Sequence, residues 1–170
     1  IDLIIAAGVA AIYGLMAIIV GAGVLLPKVG AKMLNVADEQ ELHDGRRQLL
    51  GGAVGMALVS LLLASLALAD GPNALLDRSI AALLVLVSLV GIAAISLLTR
   101  NQGDELMHRV SLESAALAFW LAMLTFGGWA ALSVLGHAAM FSAIALIAGL
   151  FALFLFAMFV IIARRGMMMS

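Results

Sequence analysis

The residue types that could do chemistry are concentrated in one polar stretch, Asn101–Ser114, reading NQGDELMHRVSLES. At helical spacing Asp104 reaches His108, Glu105 reaches both His108 and Arg109, and Arg109 reaches Glu113. Glu105-x-x-His108 is the spacing used by carboxylate-bridged di-iron helices, which need a second such pair and two further carboxylates pointing into a bundle core. An earlier polar stretch, DEQELHDGRRQLL over Asp38–Leu50, supplies Glu39, Glu41, His43 and Asp44. It has Gln40 where the second pair needs a glutamate. Asp104, Glu105, His108, Glu39 and His43 therefore stand as the candidate metal ligands. His43 and His108 could also hold one haem between two helices, but both precede apolar runs and so fall at a membrane edge. The competing reading is an interfacial ladder of ion pairs built on Glu105, Arg109 and Glu113. It is the preferred one, because charges at headgroup depth are satisfied cheaply by water. No catalytic residue is assigned and no cofactor is expected.

What positions these residues follows from composition. Of 170 residues, 65% are hydrophobic and 11% charged, with a mean hydropathy of +1.22. A soluble domain is about half apolar and about a quarter charged, and a chain of this size in water could not hide so much apolar surface. Net charge of -1 gives nucleic acid nothing to hold. With Cys 0, thiolate metal sites, iron–sulfur clusters and disulfides are excluded.

The expected fold class is all-α: one polytopic transmembrane domain over 1–170. Its crossings are expected at about 3–26, 49–69, 80–98, 115–135 and 140–163, with polar elbows at 27–48 and 99–114. Leu3–Leu26 is long enough to span about 30 Å of hydrocarbon, and is too long, without a basic flank, for a secretory leader. Pro27 ends it. The second run carries Gly51-x-x-x-Gly55 and the staggered Ala53-x-x-x-Ala57, small residues that let two helix backbones meet. Packing within the chain is the first reading of that motif and an oligomer face the second. DGPNALLDRS separates the second and third runs. Gly136-His137 links the last two so briefly that they must be antiparallel neighbours.

Lys28, Lys32, Arg46, Arg47, Arg100, Arg109, Arg164 and Arg165 fall on one side of this arrangement and Arg78 alone on the other. The bias places the elbows and C-terminus in the cytoplasm and the N-terminus outside. The first four crossings then form two hairpins of like orientation. Laying His43 on His108 also lays Glu39 on Asp104, Gln48 on Glu113, Ala53 on Ala118 and Ser60 on Thr125; duplication and independent origin both fit this.

Within the runs there is no Asp, Glu, Lys, Arg, His, Asn or Gln. Intramembrane ionisable groups mark proton and ion paths, so a proton-coupled pump is disfavoured. The interior polar atoms include the hydroxyls of Tyr13, Ser60, Ser88 and Thr125, and serine and threonine hydroxyls can bond back to their own helix.

The series Asp104-Glu105-Leu106, Arg109, Leu112-Glu113, Ala116, Ala118-Phe119 resembles an acidic–basic segment that enters a helix in small, uncharacterised bacterial integral-membrane proteins. His108 stands where those often have a second arginine. The resemblance implies a bacterial inner-membrane setting and carries no reaction. The expected function is non-enzymatic: an accessory, assembly or stabilising subunit of a membrane complex, or a homo-oligomer, with lipid and other membrane subunits or copies of itself as partners. The alternatives are a small solute or lipid transporter or channel, with Tyr13, Ser60, Ser88 and Thr125 lining a path, and a metal- or haem-binding protein using the elbows.

Overall fold

The structure is a computed structural model that describes residues 2–26, 46–70, 74–99 and 105–165, without the side chain of Met107. Every regular element among them is helical: α1 (Asp2–Leu25), α2 (Arg46–Ala69), α3 (Arg78–Thr99), α4 (Glu105–Ala122), a π-helical turn (Met123–Gly127), α5 (Gly128–Val134) and α6 (Ala143–Arg164). Because α4, the π turn and α5 run on without a break, these form five rods long and apolar enough to cross a membrane, with candidate spans of 24, 24, 22, 27 and 22 residues, the fourth counted over His108–Val134. At about 1.5 Å per residue even the shortest reaches about 33 Å, enough for the hydrocarbon core. Helix is the form the sequence must take there, since lipid offers no partner to a backbone N–H or C=O. The fold is an all-α membrane helix bundle.

The helices divide into two compact units, Ala7–Gly103 and Asp104–Ser170, the latter with Ile1–Ala6. In the first, α2 runs antiparallel to α1 and to α3. Small residues set the close approaches. A Cβ on Gly14 would stand 2.9 Å from Ser60 Oγ, and one on Gly21 would stand 3.9 Å from Ala53 Cβ. Toward α3, a Cβ on Gly51 would meet Thr99 Cγ2 at 2.5 Å, and one on Gly91 would meet Leu58 Cδ1 at 2.8 Å. The motif on α2 therefore splits. Gly51 serves α3, the buried Ala53 serves α1, and Gly55 has nothing within 4 Å.

The turn before α3 is tied at both ends. The amides of Leu75 and Leu76 donate to Leu68 O at 2.9 and 3.1 Å, occupying a carbonyl that the end of α2 leaves open. Asp77 then caps α3, accepting from the Ser79 amide at 2.8 Å. That bond, with help from the Ile80 amide, holds the Asp77 carboxyl below the usual carboxylate range.

In the second unit α6 folds back along the α4–α5 rod. The helix begins at Glu105, within the stretch expected as an elbow, and carries the charged residues directly into the apolar run. The closing turn is longer than Gly136-His137. The Gly136 amide bonds to Ser133 O at 3.0 Å and the His137 amide to Leu132 O at 2.9 Å, a Schellman ending that needs the left-handed φ of 77° at Gly136. Met140 and Phe141 lie outside helix, and Ser142 starts α6 by accepting from the Ala145 amide at 3.1 Å.

Candidate functional site

The polar start of α4 faces the end of α6, and the two are joined by charge. Arg109 pairs with Glu105 one turn back, Nη2 to Oε1 at 2.7 Å, as the spacing implies. Glu113 does not pair with Arg109. It accepts two bonds from Arg165, Nη2 to Oε1 at 2.5 Å and Nε to Oε2 at 3.3 Å. The planar guanidinium matches the carboxylate fork, so the contact fixes direction as well as distance. Antiparallel packing makes it possible: Glu113 lies two turns into α4 and Arg165 just past the last turn of α6. The Arg109–Glu105 pair is open to solvent, with side chains 65% and 77% exposed, whereas Arg165 in its pair is only 27% exposed. The inter-helix pair is therefore the less screened of the two. Beneath these charges Val110 and Ser114 are buried one turn apart. Ser114 Oγ and, in the other unit, Ser88 Oγ are enclosed with no hydrogen-bond partner among the described residues.

His108 is exposed on the same turn as Glu105 and Arg109. Asp104, Glu39 and His43 lie outside the described residues, so of the candidate ligand set the structure places only Glu105 and His108. Among the described residues no three His, Cys, Asp or Glu side chains are grouped to hold a metal ion. His137 is exposed in the opposite turn.

The hydroxyls within the rods are mostly spent locally. Ser65 donates to Leu62 O, Ser96 to Ile92 O, Thr99 to Ile95 O and Thr125 to Leu121 O, all on their own helices. Ser60 is different: its Oγ donates across to Ala10 O on α1 at 2.8 Å. Beside it the α1–α2 pair leaves an open apolar groove of about 450 Å³, with Gly14, Gly21, Ala53 and Ala57 in its walls. Of the hydroxyls named as a possible path, Tyr13 and Ser88 are buried, Ser60 is bonded across helices, and Thr125 is exposed and bonded to its own helix.

At the far end of the second unit an aromatic group closes the hairpin. Phe141 meets Phe126 edge-on at 5.3 Å and Trp129 at 5.2 Å between ring centroids. The Trp129 indole donates to Ala139 O at 2.8 Å, giving a ring that sits in apolar surroundings the partner its N–H needs. Arg165, Ser142 and Trp129 are the site residues that sequence reasoning passes over. Two of them carry a signal: Arg165 falls on the same side as Glu113, and a serine just before an apolar run is a capping mark. The bond to Ala139 has no sequence signature. No protein-family model, no curated protein and no solved structure matches the chain.

Proposed function

We propose that this chain is a non-enzymatic helix-packing subunit of a bacterial inner membrane, acting as an accessory or stabilising component of a membrane complex or as a homo-oligomer. Its N-terminus faces outward and its C-terminus the cytoplasm. The observation that carries the reading is where the polar groups are spent. Glu113 and Arg165 tie two helix ends together, Glu105 and Arg109 pair along one helix, and the hydroxyls of Ser60, Ser65, Ser96, Thr99 and Thr125 bond helix backbones. None of the described spans carries Asp, Glu, Lys, Arg or His in its apolar stretch, the usual mark of an ion or proton path. Much apolar surface is also left open to lipid or a partner. Only 11% of an 18-residue apolar stretch of the third rod and 6% of one in the fourth are buried within the chain. Orientation rests on the lysine and arginine bias, with Arg78 the lone exception.

A solute path has less support, since Ser60 and Thr125 already donate to backbone carbonyls. The test is purification in a mild detergent followed by native mass measurement. A co-purifying subunit, or a multiple of 17.6 kDa, supports the proposal. A lone chain at every detergent level tested overturns it.

A further inference from the structure

The fourth rod is interrupted by one wide turn, Met123–Gly127, inside its apolar run. Such a turn holds one residue more than the α-helix around it, and its i→i+5 pattern leaves a carbonyl without its usual amide. Within the turn the Thr125 hydroxyl bonds back to Leu121 O at 2.7 Å, as Ser96 and Thr99 do in regular helix. Three observations meet here. Gly127 and Gly128 sit side by side in the rod, yet a Cβ on either would find nothing within 4 Å, so close packing does not require them, and glycine weakens a helix by about 1 kcal/mol relative to alanine. Phe126 at the same turn lies so close to Gly149 that any Cβ there would collide with its ring. An apolar cleft of about 310 Å³, walled by Phe119, Met123, Phe126, Gly127, Leu146 and Leu150, opens beside it.

We infer that Met123–Gly127 is a register switch: the extra residue can be passed along the rod, turning Gly128–Val134 about its axis, and the seat of Phe126 against Gly149 holds the orientation seen. One residue of register is about 100° of rotation, which carries a side chain on a helix about 10 Å across through roughly 8 Å. The cleft beside Phe126 gives the ring somewhere to go. Trp129 and its bond to Ala139 O belong to the same seated state.

The chain has no cysteine, so spin labels can be placed at will, one at Val134 on the moving segment and one at Phe156 on α6, both exposed. In nanodiscs the labelled protein is expected to show a main distance and a second population displaced by up to about 8 Å. Phe126→Ala, which removes the seated ring without adding a clash, is expected to enrich the second population several-fold; Gly149→Ala, which blocks the seat, is expected to do the same. Deleting Leu124 takes out the extra residue while leaving both flanks on their present faces, so it is expected to leave a single population. One unchanged distance distribution in Phe126→Ala and in the deletion overturns the inference. Gly149→Ala failing to fold leaves that comparison intact.

Discussion

Ser60 shows how few polar atoms this chain uses to bring helices together. Its hydroxyl donates to Ala10 O, and it fits because Gly14 on the facing helix has no side chain. Ser60→Ala is expected to cost about 0.6 kcal/mol, the average for hydrogen bonds between membrane helices. Gly14→Ala should destabilise the otherwise unchanged protein, since its methyl would stand 2.9 Å from Ser60 Oγ, and be tolerated once Ser60 is alanine. Unfolding of the single and double variants in detergent checks this; additive effects, without coupling of about 0.5 kcal/mol or more, would show that the two residues do not interact. Asp77 gives a pH dependence of definite sign. Its folded carboxyl is held below the ordinary range by the Ser79 and Ile80 amides. The stability it adds is therefore present above the unfolded value of about 3.9 and is lost as pH falls through the lower folded value. Asp77→Asn, which keeps a capping oxygen, should flatten that part of a melting-temperature profile taken from about pH 5 to about pH 2.

At the scale of elements, two contacts separate what hydropathy can show from what it cannot. The five rods stand out as apolar runs, because a span needs about 20 such residues whatever it packs against. Glu105 and Arg109 can be paired from spacing alone, since both lie on one helix. The partner of Glu113 cannot, because Arg165 comes from another helix and depends on how far α6 runs back along α4. The π turn is less legible still: one extra residue among MLTFG leaves an apolar run apolar, and only the Gly127-Gly128 pair hints at it. The small-residue motif on α2 is visible as composition, but which neighbour each residue meets is not. That division is testable. Gly51→Leu and Gly91→Leu should each cost about 1–3 kcal/mol through overpacking against Thr99 and Leu58. Gly55→Ala, with open space around it, should be neutral or stabilising by up to about 1 kcal/mol through helix propensity. A loss at Gly55 equal to that at Gly51 would mean that α2 presents one continuous small face instead.

For the whole molecule, lipid is the solvent that makes sense of the surface. Leu83, Leu86, Val90, Leu98, Trp120 and Leu124 are each half or more exposed along the third and fourth rods. In water such a surface would drive aggregation; in hydrocarbon it costs nothing. The charges are correspondingly at the helix ends, where Glu113 and Arg165 tie the second unit and Asp77 caps α3. Glu113→Gln is expected to lower stability by no more than about 1 kcal/mol, since that pair is partly open to solvent and salt. The loss should shrink further in high salt; a larger, salt-independent loss would mean the contact is dry.

The most direct measurement uses single cysteine substitutions in this cysteine-free chain, tested in intact membranes with a water-soluble, membrane-impermeant thiol reagent. Leu75 and His137 lie in the turns after α2 and α5, Arg109 lies in the first turns of α4 and Arg165 just past α6, and Leu86 and Leu124 lie within the rods, 59% and 72% exposed. The expected result is that Leu75→Cys and His137→Cys react from one side and Arg109→Cys and Arg165→Cys only from the other. Leu86→Cys and Leu124→Cys are expected to react from neither. Labelling of these two variants as fast as that of Leu75→Cys would mean that water, not lipid, surrounds these helices.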